Sequence, residues 1–309
     1  MVRILLAAVV FAAAFGQVKP EPTISTFERS AGPFAVGGHS YRVTVQVKQL
    51  PAGKNPDPDF QETVSAVRIR DEAGRAIFQR TFPYKVSGDR FEETTAVHSE
   101  ILKGRSGSGL LLTYGVVPST PLGGQSWQVF GVAGGKLRAF AGPISTEGEL
   151  ARQASGTPPH MAWDESLKAD VLNFRVWTGN FFIIVPLRVD WTMGSIRPAY
   201  RCWKIAGHGL VEACRFRVEA ERRPEGGLTF VRLFPQAGEK AGIPLHAVIK
   251  KDSAVEFIEA EAALQWEESA EGIGLGVSED VWLKVRIDGK EGWIHSQEDF
   301  QAVGLPQAG

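Results

Sequence analysis

The chain has 309 residues, 43% hydrophobic and 22% charged, with a formal net charge of -1 at pH 7. That composition can build a core and excludes a disordered tail. The near-neutral charge argues against general nucleic-acid binding, which needs a basic surface to displace counterions from phosphates.

The first residues read as an address. Arg3 supplies a positive charge, Ile4 to Phe15 is apolar, and Ala14-Phe15-Gly16 offers a small-x-small cleavage site. The run is short for about 30 Å of hydrocarbon, which favours a cleaved signal peptide over residues 1–16 against an uncleaved anchor. No Cys follows for lipid attachment, and no later segment approaches membrane length. The expected mature protein begins at Gln17 and is secreted or periplasmic, with no membrane span.

From there the period is two. Tyr41, Val43, Val45 and Val47 share one face, and Arg42, Thr44 and Gln46 the other, which predicts a half-buried antiparallel strand. Val67–Arg70 continues the pattern, and Asp71 to Gly74 turns the chain into Ala76–Phe82. Pro51 to Pro58 reads as a polar loop. Gly109 to Val117 is an apolar run ended by Pro118. Trp127–Val132 and Leu137–Ala141 flank Gly134-Gly135, a hairpin signal. Strands at this spacing with Gly, Pro and Asp turns predict an all-β chain, an antiparallel sandwich or barrel-like N-terminal region. It is expected to span residues 17–220, with an internal break near 153–159.

After that break come Val171–Val176, then Asn180–Trp191, then a cysteine hairpin. Tyr200–Ile205 and Val211–Val218 are strand-like around Ala206-Gly207-His208-Gly209, which sets Cys202 opposite Cys214. Cross-strand neighbours come within disulfide range, and an oxidising compartment would join them. The alternative is two buried thiols in a reducing compartment. A redox pair is disfavoured because the spacing is not C-x-x-C.

Glu221 to Gly227 marks a second boundary, where charge changes sign. From Glu225 onward there are 15 acidic and 7 basic residues, a net of -8, against +7 for the remainder. Domain attraction, a basic region leaning on an anionic polymer, and two ordinary solvated surfaces all fit this asymmetry.

The clearest local pattern is Trp282 to His295. Two alternating strands flank Asp288-Gly289, which suits a type I′ turn. That turn sets Arg286 opposite Glu291, Lys284 opposite Trp293 and Trp282 opposite His295. Leu283, Val285, Ile287 and Ile294 then form the core face. Ser296-Gln-Glu-Asp299 has the pattern of a helix start, and Gly304 can end that helix.

On these residues the stretch from about Thr229 to Pro306, within an expected domain of residues 225–309, resembles the bacterial SH3-like domain family, a small β-barrel. Trp282-Leu-Lys-Val, the Asp-Gly turn and Gly292-Trp293-Ile294 carry the likeness. Val231–Pro235 and Ile249–Ile258 fit its first and middle strands more loosely. The stretch Glu259–Asp280 is longer than the family's connection. The resemblance implies a binding or targeting module for a peptidoglycan, peptide or envelope-protein partner. Trp282, Lys284, Arg286, Trp293 and His295 are then the candidate ligand face, rings for stacking and cations for a carboxylate. The competing reading buries both tryptophans as structure.

Catalytic patterns are not found. The six His show no chelating spacing, and no cofactor or metal motif is present. There is no G-x-S-x-G elbow or P-loop, and paired cysteines leave no thiol nucleophile. Asp57, Asp59 and Glu62 read as a solvated loop. Gly104-Arg-Ser-Gly-Ser-Gly109 could offer amides to an anion but opens no helix, and reads as a hairpin loop. The sequence supports a non-enzymatic exported binding or scaffold protein. An envelope hydrolase targeted by the barrel, and a purely structural barrel, are the alternatives.

Overall fold

The computed structural model describes residues 23–51, 58–118, 125–146, 158–199, 214–223, 228–238, 242–270, 272–277 and 280–305. The expected signal peptide lies outside them, as do Asp57, Cys202, His208 and the first half of the cysteine hairpin. The fold is all-β and mostly antiparallel. The first sheet runs in sequence order, β1 (Ser25–Val36), β2 (His39–Gln49), β3 (Glu62–Arg70) and β4 (Ala76–Thr81). Alternation places Tyr41, Val43, Val67 and Ile69 on one face of it. β1 is mostly exposed and shows no alternation, so no pattern announces it.

A short ribbon follows, β5 (Val86–Ser87) with β6 (Arg90–Phe91). Next come β7 (Glu93–Lys103), β8 (Ser108–Pro118), β9 (Gln125–Ala133), β10 (Lys136–Ala139) and β11 (Ile144–Thr146) of a second sheet. Leu110, Leu112, Tyr114 and Phe130 of this sheet meet the apolar face of the first. Leu111, Trp127 and Val129 point the other way, toward Leu172, Phe174, Val185 and Leu187 of a third sheet. Both faces of the middle layer are therefore buried, which is why β8 reads as a continuous apolar run. Burying each of Leu110, Leu111 and Leu112 contributes about 1.5–3 kcal/mol.

The third sheet begins with β12 (His160–Asp164), β13 (Ala169–Trp177), β14 (Phe182–Asp190), β15 (Ser195–Pro198) and β16 (Cys214–Glu219). Strand pairing then continues across the boundary expected at 221–227. After the ribbon of β17 (Thr229–Leu233) and β18 (Leu245–Ile249), β19 (Val255–Ala262) pairs with β16, Cys214 opposite Ala262. The long stretch Glu259–Asp280 completes β19 and then departs for the middle layer. There β20 (Leu264–Glu268) and β21 (Ile273–Val277) form a hairpin, and β21 lies parallel to β11. The chain returns as β22 (Trp282–Ile287) and β23 (Lys290–Ile294), followed by α1 (Gln297–Ala302).

The last hairpin has the register its turn dictates, Lys284 opposite Trp293 and Arg286 opposite Glu291. Asp288 and Gly289 both take positive φ, 45° and 83°. The Ser296 hydroxyl accepts from the Asp299 amide to cap α1, and Gly304 at φ 83° ends it. Phe300 of α1 meets Phe181 edge-on at 5.8 Å, and one core cluster contains Leu172, Phe174, Leu233, Leu283 and Phe300 together. The described residues from 228 to 305 thus share sheets and core with the region before them.

The second and third layers are also joined by a buried charge. Asp170 of β13 is 1% exposed. Its carboxylate accepts from the Arg105 amide (2.7 Å), the Ser106 amide (2.8 Å), the Ser106 hydroxyl (2.5 Å) and the Trp191 indole N–H (2.8 Å). The loop Gly104–Gly107 therefore does present its amides to an anion, and the anion is the chain's own. Its glycines are needed for the approach. A Cβ at Gly104 would stand 2.5 Å from the Asp170 carboxylate, and one at Gly107 would stand 2.4 Å from Trp191. Burial alone would raise the Asp170 carboxyl; the hydrogen bonds from Ser106, Arg105 and Trp191 together outweigh it and hold the carboxyl below its usual range.

Asp170→Asn puts an NH2 group among four donors and is expected to lower unfolding free energy by about 2–3 kcal/mol in urea titration. Because the folded-state pKa is depressed, the carboxylate's contribution is complete above the unfolded value of about 3.9 and is lost as pH falls through the folded one. The gap between wild type and variant should stay constant from neutral pH to about 4 and narrow only below.

Candidate functional site

The five residues singled out from the sequence come together on β22, β23 and the residue after them, with both rings covered. Trp282 is 8% exposed and Trp293 5%. The Trp282 indole is stacked on the His295 ring at 4.5 Å and meets Phe234 edge-on at 5.5 Å. Its N–H donates to Asp280 Oδ1 at 3.0 Å, and His295 Nε2 lies 2.7 Å from the same oxygen. Phe234 and Trp293 exchange both backbone hydrogen bonds at 2.8 Å, which ties the end of β17 to β23. The Arg215 guanidinium lies 5.6 Å above the Trp293 ring.

The cations of this face are matched by neighbouring carboxylates. Lys284 lies 3.4 Å from Glu291 and 3.8 Å from Glu259. Arg286 bonds both Glu256 and Glu291. Hydrogen bonding to Arg286, reinforced by its charge, holds the Glu291 carboxyl below its usual range. A ligand carboxylate would have to displace partners already in place.

A second location is open. A cleft of about 910 Å³ lies between the β10–β11 connection, β15 and the β20–β21 hairpin. Phe140, Pro143, Ile196, Pro198 and Trp266 give it apolar walls; Arg197, Gln265, Glu267 and Glu268 give it polar ones. The Trp266 indole is half-buried and donates to Glu268 Oε1 at 3.0 Å. Among the described residues β15 pairs only with β14 and β20 only with β21, so two sheet edges border the cleft. Arg197 and Glu267 are exposed and, among the described residues, carry no ion pair. Among the described residues the lining holds neither His nor Cys.

Sequence patterns did not reach this site. Its walls come from residues about 70 apart on either side of the expected domain boundary, and it forms only because β20 and β21 cross to the middle layer. The alternation of Leu264 and Trp266 was the one local signal for that hairpin.

The remaining candidates are spoken for elsewhere. Glu62 pairs with Arg29 at 2.8 Å, and the Asp59 carbonyl accepts from the Thr94 hydroxyl at 3.0 Å. Among the described residues no three His, Cys, Asp or Glu side chains could hold a metal ion. Cys214 opens β16 and is not a free thiol. No helix among the described residues is long and apolar enough to cross a membrane. No protein-family model matches the chain, and neither does a curated protein or a solved structure.

Covered rings and matched charges make the Trp282/Trp293 face a source of stability. Trp282→Ala is expected to cost about 3–5 kcal/mol. Lys284→Ala should cost about 1 kcal/mol or less, because its partners are partly solvated. Urea unfolding of the two variants checks both values.

Proposed function

We propose that this chain is an exported, non-enzymatic binding protein of the cell envelope that takes an extended peptide in the cleft between β15 and β20. In this reading the SH3-like segment is a structural part of the fold and supplies one wall of the cleft. The observation that carries it is that β15 and β20, each a sheet edge among the described residues, meet at one concave site. Unpaired edge amides and carbonyls are a template for an added strand, and flanking pockets then select side chains. Trp266 and Pro198 offer apolar contact, while Arg197 and Glu267 can answer a peptide's carboxylate and ammonium. The peptide chains of peptidoglycan carry both groups. The covered Trp282/Trp293 face supports the structural role of the C-terminal segment over a targeting role.

Titration calorimetry with peptides released from purified peptidoglycan tests the assignment. Arg197→Ala and Trp266→Ala are each expected to weaken binding about tenfold or more. The exposed Arg197 should leave the thermal midpoint unchanged. Undiminished affinity in the double variant would remove the cleft from consideration.

Export and the Cys202–Cys214 pair belong to the same reading. The intact mass of protein recovered from the periplasm or medium of a bacterial host should start at Gln17 and lack the two thiol hydrogens. A mass that includes Met1, or two alkylatable thiols, would sink the exported reading.

A further inference from the structure

Eight large hydrophobic side chains stand exposed among the described residues, and five of them fall on one small feature. They are Leu228 (59% exposed), Phe230 (63%), Ile243 (89%), Leu245 (70%) and Val248 (40%). All belong to the β17–β18 ribbon or its flanks. The ribbon has two faces. Val231, Leu233, Ala247 and Ile249 point inward and are buried. Phe230 stands opposite Val248 on the outward face, and Arg232 stands opposite His246. Extending the register by one residue sets Leu228 opposite Lys250. The outward face is therefore apolar in its middle, with Lys250 at one end and Arg232, already paired with Glu298 and Asp299, at the other. Lys251 follows in the exposed turn, and Ile243 and Leu245 project where β18 begins.

We infer that this ribbon face docks on the surface of an anionic lipid bilayer. Charge complementarity chooses that occupant. Residues from Glu225 onward carry a net of -8, yet the exposed apolar side chains are flanked by Lys250 and Lys251. Lys250 and Lys251 form no ion pair among the described residues, whereas Lys284 and Arg286 of the same segment are matched by carboxylates. Screening over about 8 Å at physiological salt lets the local lysines act on a bilayer while the distant acidic excess is muted. Basic residues at such a surface contribute about 1 kcal/mol each, and apolar side chains entering the interface add to that. Leu228, Phe230 and Val248, which share the outward face, are the side chains that would enter. Docking here leaves the cleft between β15 and β20 free, so the two sites are independent.

Co-sedimentation with vesicles tests the inference, using the exported protein as recovered and vesicles of phosphatidylcholine with or without about one third phosphatidylglycerol. Wild type should sediment with the phosphatidylglycerol vesicles, and less as salt is raised. Lys250→Gln/Lys251→Gln should weaken partitioning about 30-fold, the equivalent of two lysines. Leu228→Ser/Phe230→Ser/Val248→Ser should weaken it about tenfold or more. All five side chains are exposed, so both variants should keep the wild-type thermal midpoint. Ile77→Ser, an exposed apolar residue on β4, should partition as wild type. Every variant shares one N-terminus, so residues Ile4 to Phe15 cannot account for a difference. Partitioning equal in all variants would overturn the inference. So would absence of binding at low salt, or a dimer in light scattering that the triple serine variant converts to monomer without any vesicle binding.

Discussion

The constraint on which the rest of this molecule depends is that the central strands of its middle sheet, β8 and β9, are buried on both faces. β8 and β9 send alternate side chains into two cores, one shared with the first sheet and one with the third. Strands buried on both sides must have their backbone groups paired with neighbouring strands. The chain meets this demand with distant residues. β21 runs parallel to β11 with a separation of 129 positions between Ile144 and Ile273, and it brings β20 with it. The C-terminal third is thereby committed to completing a layer begun by residues 93–146.

The third sheet repeats the arrangement. β16 lies between β14 and β19, so a strand from before residue 220 is continued by one from after it. Arg222 and Arg223, soon after β16, are tied to the C-terminal segment as well. The Arg223 amide donates to the Gly304 carbonyl at 2.7 Å, and the Arg222 guanidinium donates to the Ser253 carbonyl at 2.7 Å. Asp170 performs a related task between layers. It satisfies two amides of a tight loop that has no strand partner for them, and it takes the Trp191 indole N–H at the same time. A buried carboxylate is costly unless several donors converge on it, and here four do.

Local sequence carried the strand period, the turns and the hairpin registers, because each is set by neighbours within about ten residues. Asp288-Gly289 fixed which side chains share a face, and the pairing of Arg286 with Glu291 follows from it. The same local view could not tell that the face opposite the core is covered as well. Trp282 is enclosed by Phe234 and His295, and Phe234 arrives from a strand 48 residues earlier. The anion-binding capacity of Gly104–Gly109 was visible in its glycines, but its occupant, Asp170, lies 65 residues beyond Arg105. The cleft was invisible for the same reason, since Arg197 and Trp266 belong to different sheets.

These long-range pairings also determine where recognition can occur. Aromatic and charged residues on one strand face look like a binding surface when read along the chain. Once each ring is covered and each cation has its carboxylate, a ligand would exchange equal contacts and gain little. Net affinity is available where the fold leaves hydrogen-bonding groups or apolar area without a partner. The cleft leaves two strand edges and a half-buried indole. The outward face of β17 and β18 leaves Phe230 and Val248 in water beside lysines that form no ion pair among the described residues. Both features exist because strands of the C-terminal segment pair elsewhere: β20 ends the middle sheet, and β18 ends a ribbon of two. The device that completes the buried layers is thus the same one that creates the open edges.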